Sequence, residues 1–196
     1  ITDYLGFEIN EGEFKVMSLS SFGEPVYEKE IKEIFNIDDF KINMDYFEFH
    51  KSAINSFSKK LCEVFGDPYL NINEKVNFNK YADIASSAQL ILERTMKNLI
   101  LKAIDLSGKR KIILTGGVAL NCKMIHSLSK QDIFEELIVP PSPGDSGSAI
   151  GAANFAFLEK SKTKILDFTS IFLGPKKNFV NKRESKDNFF SKINLT

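Results

Sequence analysis

The chain has 196 residues and a mass of 22.2 kDa, the size of one domain or slightly more. Its 43% hydrophobic and 27% charged residues exclude disorder over most of the length. Lys plus Arg and Asp plus Glu both number 26, which argues against general nucleic-acid binding, and no apolar run reaches the ~18 residues of a membrane helix.

Gly6, Gly12, Gly23 and Pro25 punctuate the first stretch, which reads as loop and short strand from Tyr4 to Tyr27. Within it, Gly12 to Met17 alternates polar with apolar residues. Tyr27 to Phe35 sets Ile31, Ile34 and Phe35 among Glu and Lys and reads as a short amphipathic helix or turn. Phe47, Ile54, Phe57, Leu61, Val64 and Phe65 fall near one face at helical spacing, predicting a helix over 47–65. Gly66-Asp67-Pro68 stops it. Asn71 to Asn79 reads as a loop.

The longest predicted helix runs from Lys80 to Leu106, with Ala85, Ala88, Leu92, Met96, Leu99 and Ala103 every three or four residues. Its alanines admit close approach of another element, and Ser107-Gly108 ends it. Lys111 to Thr115 is an apolar run without alternation, as in a strand buried on both faces. After Gly116-Gly117 a helix is expected over Val118 to Leu128, then a strand over Glu136 to Val139. Prolines 140, 141 and 143 forbid its continuation. A small-residue helix follows over Ser146 to Lys160. This order predicts an α/β layer with parallel pairing. From Lys164 the chain turns irregular, with a turn at Leu173-Gly174-Pro175, and Lys176 to Thr196 reads as a linker or tail.

Two strand-to-helix turns stand out. Thr115 to Ala119 carries glycines that let a ligand approach the backbone, at the strand end where open α/β sheets bind ligands. A tight turn that binds nothing has the same sequence. Pro143 to Gly147 places Asp145 either as a metal ligand or as an N-cap. The proximity of the two turns in sequence suggests that they line one cleft. His50 and His126 show no ligand spacing, and neither G-x-S-x-G nor a Walker loop is present. Cys122 reads as a buried structural thiol rather than a nucleophile. With Cys62 it makes no disulfide framework, which suits a reducing cytoplasm.

Segments quoted in order now resemble a family. Tyr4-Leu-Gly-Phe, Gly12-Glu-Phe-Lys-Val-Met17 and Phe22-Gly23-Glu-Pro resemble the G-E-Y-K-V-M-G-L-A-P-Y-G segment of NodU/CmcH-type carbamoyltransferases. Phe65-Gly-Asp-Pro68 and Tyr81-Ala-Asp-Ile-Ala-Ser-Ser-Ala-Gln89 resemble their F-G-x-P and D-I-A-A-S-x-Q segments. Leu114-Thr-Gly-Gly-Val-Ala-Leu-Asn-Cys122 is similar to G-G-V-A-L-N-C. Pro143-Gly-Asp-Ser-Gly147 with Ile150-Gly-Ala-Ala153 is similar to P-x-x-G-D-x-G-x-A-x-G-A-A, and Leu173-Gly-Pro175 to a closing L-G-P.

The resemblance implies an actin-like (ASKHA, RNase H-like) lobe, a mixed sheet flanked by helices, with a helical insertion about 28–70. Residues 1–175 would be the second part of that domain, and 176–196 a linker toward a YrdC-like domain. It implies transfer of a carbamoyl group, from carbamoyl phosphate and ATP through carbamoyl-adenylate, to an acceptor hydroxyl, with iron or another divalent metal beside the nucleotide. Glu13, Lys15, Gly23, Gly116, Gly117 and Asn121 match nucleotide- or substrate-binding positions, and Asp145 the metal-binding aspartate. The general base is not identified.

The chain departs from the pattern in three ways. It lacks the family's paired histidine ligands, Met17-Ser18-Leu19-Ser20-Ser21-Phe22 replaces M-G-L-A-P-Y, and Ile125 stands where a second asparagine is common. With Ile1 in place of Met, these suggest a fragment inactive without its upstream lobe and its YrdC-like domain, and prone to self-association. A non-catalytic relative acting as a binding or regulatory partner, and a threonylcarbamoyl-transferase-like enzyme, are the alternatives. No nucleic acid or membrane partner is expected, and the acceptor is a small molecule or sugar.

Overall fold

The element that organises the chain is a 30-residue helix. The computed structural model describes residues 1–52, 54–69 and 77–161. In chain order it contains α1 (Glu13–Leu19), α2 (Glu28–Ile34), β1 (Phe35–Asn36), β2 (Lys41–Ile42), a 3-10 turn (Met44–Tyr46), α3 (Lys59–Phe65) and α4 (Phe78–Ser107). These are followed by β3 (Lys111–Ile113), a second 3-10 turn (Gly117–Leu120), α5 (Cys122–Ser129), β4 (Glu136–Ile138) and α6 (Gly147–Ser161). Residues 1–153 form one compact unit; residues from Asn154 form another, described only through the last turns of α6.

Helix α4 spans about 45 Å at 1.5 Å per residue. The Asn77 side chain caps its start by accepting from Lys80 N–H at 3.3 Å, and Gly108 ends it in the left-handed conformation at φ 66°. Its first half carries Ile84, Ala85 and Ile91 into the larger core, with Tyr4, Leu5, Ile31, Ile34, Tyr46, Phe47, Leu61 and Phe65. Tyr4 is fully buried between the edges of Phe57 and Phe65, and its hydroxyl donates to the carbonyls of Gly66 and Asp67. Burial pushes that phenol well above its usual range. The second half of α4 gives Ile100 to a smaller cluster with Met124 and Leu128 of α5.

Two separate two-stranded sheets replace the expected mixed sheet among the described residues: β1–β2 antiparallel, and β3–β4 parallel with Lys111 opposite Glu136 and Ile113 opposite Ile138. The parallel pairing is as expected. The double-sided burial of β3 is not: Ile112 is half-buried and Ile113 is 69% exposed.

Three further expectations are corrected. Residues 13–17 are helix rather than loop or strand. Val16 and Leu19, one turn apart, pack against the larger core, and tertiary contact with α4 decides a run too short to settle its own period. The helix expected over 47–65 is confined to Lys59–Phe65. Before it, Phe47 bridges antiparallel to Phe57, and Ser52 Oγ accepts from the N–H groups of Ile54 and Asn55. Hydroxyl side chains there compete for backbone bonds that a helix would need. The helix expected over 118–128 is broken at Asn121, where a 3-10 turn gives way to α5. The 28–70 region holds α2, the β1–β2 hairpin, a 3-10 turn and α3, so it is not wholly helical. The 173–175 turn and the 176–196 tail lie outside the described residues.

Candidate functional site

The two glycine-bearing turns follow the two parallel strands, so both stand at the carboxyl ends of a sheet. Gly116 N–H donates to Pro143 C=O at 2.7 Å and ties one turn to the other. A Cβ at Gly144 would rest 3.5 Å from Leu120 Cδ1. Beside this seam lies an open depression of about 480 Å³, lined among others by Leu120, Cys122, His126, Val139 and Pro143. The two turns are thus joined by a hydrogen bond, and Ala119 and Pro143 bring one residue of each to the depression.

Gly116 has φ 96°, a conformation that side chains rarely adopt. Gly116 and Gly117 are exposed, and a Cβ at either would meet no atom within 4 Å. The glycines are not there to make room for the protein's own packing. They leave bare backbone facing open space, which fits the approach of a flat or anionic ligand. Gly147 differs: a Cβ there would strike Ser142 O at 2.2 Å, so that glycine serves the turn itself.

Asn121 is half-buried and closes the first turn. Its Oδ1 accepts from Met124 N–H at 2.9 Å, capping α5, and from Gln89 Nε2 at 3.0 Å; its Nδ2 donates back to Gln89 Oε1 at 2.8 Å. Gln89 Nε2 also donates to Glu93 Oε1 at 2.8 Å. The sequence singled out Asn121 but not Gln89. The available signal was a glutamine in the otherwise apolar register of α4, which buries it to 6% exposure.

The segment Tyr81–Gln89 uses its polar residues in the same manner. Asp83 Oδ1 accepts from Glu24 N–H at 2.7 Å, and Ser87 Oγ accepts from Tyr27 N–H at 3.0 Å while donating to Asp83 C=O at 2.7 Å. Gly23 lies directly on α4, where a Cβ would sit 2.1 Å from the Ala82 carbonyl carbon. Close packing accounts for that glycine.

Glu13 and Lys15 stand at the start of α1. Glu13 Oε1 accepts from Asn10 N–H at 3.0 Å, and Lys15 Nζ lies about 6 Å from the rings of Phe7 and Phe14; both side chains are exposed. The other end of α1 reaches α5. Lys123 Nζ donates to the buried Ser20 Oγ at 2.8 Å, and Cys122 Sγ lies 3.7 Å from Met17 Sδ. The structure thus gathers Gly116, Gly117, Asn121 and the turn carrying Asp145. Glu13 and Lys15 stand earlier on α1, about 6 Å and about 3 Å of helix rise before Met17, which touches α5.

Asp145 is exposed, and its carbonyl accepts from Ser148 N–H and Oγ, a turn bond that leaves the carboxylate out of the cap. It offers one oxygen ligand. Among the described residues no group of three His, Cys, Asp or Glu side chains is placed to hold a metal, so these residues do not fit a metal site by themselves. His50 is exposed, edge-on to Phe49, and takes no part. Both cysteines are free; Cys122 is exposed rather than buried as expected, since it opens α5 at the turn's exit, and burial pushes the Cys62 thiol up. No described helix is long and apolar enough to cross a membrane.

Residues 1–154 match the family described as carbamoyltransferase N-terminus. An uncharacterized protein of Synechocystis sp. (sll1178) is 34% identical over 158 residues, covering 78% of this chain and 25% of that protein. Nodulation protein NolNO of Sinorhizobium fredii is 28% identical over 154 residues, covering 76% and 21%. Nodulation protein U of Rhizobium tropici is 33% identical over 129 residues, covering 64% and 22%. The chain spans about a quarter of the length of the curated relatives it matches.

Proposed function

This chain belongs to the carbamoyltransferase family, and from that premise we propose that it supplies the nucleotide-facing turns of an O-carbamoyltransferase of NodU type. The observation that carries the reading is the open Gly116–Gly117 turn, at a strand end, hydrogen-bonded to the turn that holds Asp145. The reaction is transfer of a carbamoyl group, activated as carbamoyl-adenylate from carbamoyl phosphate and ATP, to an acceptor hydroxyl. The acceptor oxygen bonds to the carbonyl carbon, the bond to the AMP oxygen breaks, and the hydroxyl proton passes to a base.

In this reading bare backbone at Gly116 and Gly117 admits the nucleotide, and Asn121 fixes the turn's exit. The actin-like frame, in which two such turns flank one cleft, belongs to the same proposal. Asp145 contributes a single carboxylate, and a metal would need ligands from beyond the described residues. Two free cysteines suit a cytoplasmic setting.

The test uses the intact native protein with labelled ATP. Binding is expected, with Gly116→Val weaker by about tenfold or more, because valine cannot hold φ 96° without strain. Pyrophosphate release that depends on carbamoyl phosphate is expected beside it. Absence of that release overturns the transferase reading; unchanged ATP affinity in Gly116→Val overturns the role of the turn.

A further inference from the structure

The three side chains Glu93, Gln89 and Asn121 form one hydrogen-bonded line from α4 into the first residue pairs of α5. Each orientation along it is determined. Glu93 as a carboxylate only accepts, so the Gln89 group facing it is the NH2. Met124 N–H only donates, so the Asn121 atom facing it is Oδ1. With both ends settled, the central pair can bond only reciprocally, Gln89 Nε2 to Asn121 Oδ1 and Asn121 Nδ2 to Gln89 Oε1. Gln89 spends both amide hydrogens on this task.

We propose that Gln89 is a positioning residue for the glycine turn. Oriented by Glu93, it holds the Asn121 amide so that Oδ1 caps α5 and one Nδ2 hydrogen stays outside the internal bonds as a donor for an acceptor atom of the ligand. Three observations support a positioning role over simple filling of space. Gln89 is almost fully buried, and a leucine would fill that volume without a desolvation penalty. Its partner lies 32 residues away, on the element that closes the exposed turn. The bond pattern is reciprocal, so losing either amide removes two hydrogen bonds of the other at once. Asn121, for its part, keeps its carbonyl oxygen for the protein and has only a donor to offer a ligand.

The ligand half of this inference rests on the nucleotide reading above, whereas the positioning half does not. The test therefore reads both, in the intact chain carrying Gln89→Leu, Gln89→Glu, or Gln89→Glu with Glu93→Gln. In Gln89→Glu two carboxylates face each other with no donor between them. Adding Glu93→Gln returns a donor to that contact and leaves the bond from Asn121 Nδ2. The first readout is hydrogen exchange of Met124 N–H and of the Asn121 side-chain amide. About tenfold faster exchange is expected in both single variants, the weight of one or two lost hydrogen bonds, with partial recovery in the double variant, which regains the contact with residue 93 but not the donor to Asn121 Oδ1. The second readout is affinity for the ATP analogue adenylyl imidodiphosphate, expected to fall and recover in the same order.

Unchanged exchange at both groups in Gln89→Leu overturns the positioning role. Accelerated exchange with unchanged analogue affinity overturns the donor role of Asn121. Failure of the unsubstituted chain to bind the analogue counts against the nucleotide reading and the donor role together, and the exchange data then decide the positioning role alone. A mere packing role predicts unchanged exchange in Gln89→Glu, which leaves the size of the side chain nearly as it was.

Discussion

The two halves of α4 face different surroundings. Its first half gives Ile84, Ala85 and Ile91 to a core of eleven buried residues completed by α2, α3 and the loops around them, with Tyr4, Ile34, Leu61 and Ile84 at 0% exposure. Its second half joins a cluster whose other buried members are Met124 and Leu128, packed by partly buried side chains such as Ile112 and Leu137, and the strands and turns beyond leave Ile113 69% and Leu120 64% exposed. Apolar burial, the main source of stability, is concentrated away from the Gly116–Gly117 and Asp145 turns. The open turns stand on the thinner side, held by hydrogen bonds from α4 rather than by depth of core. Bare backbone near a ligand and a deep apolar core exclude one another locally, and a single long helix lets one chain have both.

The largest expected effect tests how firmly the first half is clamped. Gly23→Ala places a methyl 2.1 Å from the Ala82 carbonyl carbon and 2.3 Å from its oxygen, atoms of helix backbone that cannot turn aside like a side chain. We expect a loss of about 3 kcal/mol or more in urea unfolding, with the Glu24–Asp83 bond broken as the turn lifts. An unchanged midpoint would mean that the 22–25 turn slides along α4, and the contrast between the halves would weaken.

Truncation then compares the two clusters directly. Ile84 and Met124 are both fully buried. Ile84→Ala is expected to cost about 3–4 kcal/mol, because the many fixed neighbours around it cannot collapse into the space. Met124→Ala is expected to cost about 2 kcal/mol, because its small cluster has freedom to close and methionine is the more adaptable filler. Equal losses, measured by chemical unfolding, would remove the distinction drawn here.

How far this contrast was legible in sequence differs by element. Helix α4 was readable to within two residues at its start because many turns of periodic apolar residues agree and Gly108 marks its end. The parallel pairing of β3 with β4 was readable from the helix between them. The false helix over 47–58 was not avoidable by period alone, since Phe47, Ile54 and Phe57 fit a helical face. What overrides them is local: the Ser52 hydroxyl takes two backbone N–H groups, and Ile54 is 90% exposed. In the candidate site the glycines and Asn121 stood out by type and place, and their junction through Pro143 followed from chain order. Asp83, Ser87 and Gln89 stood out only as letters of a matching segment and carried no role, because a buried polar residue in a helix declares its part only once its distant partner is known. Gly23 was read as part of a ligand segment, and only the nearness of Ala82 reveals the contact it makes possible.

The smallest effect concerns a charged tie between α2 and the middle of α4. Glu28 accepts from Lys32 Nζ at 2.5 Å and from the Arg94 guanidinium. Hydrogen bonds from Lys32 and then Arg94 hold its carboxyl below the usual 4.5. A group whose folded pKa is depressed adds stability above its unfolded value, and that contribution disappears as pH falls through the folded one. Glu28→Gln is therefore expected to lower Tm slightly near neutral pH, with the gap to the unsubstituted chain closing as pH falls below about 4.5. The tie is solvent-accessible, so high salt should narrow the same gap at neutral pH. A gap that stays constant from neutral to acid pH would mean that the neutral contacts of the side chain, and not its charge, join α2 to α4 at Arg94, the point where the deep core gives way to the open turns.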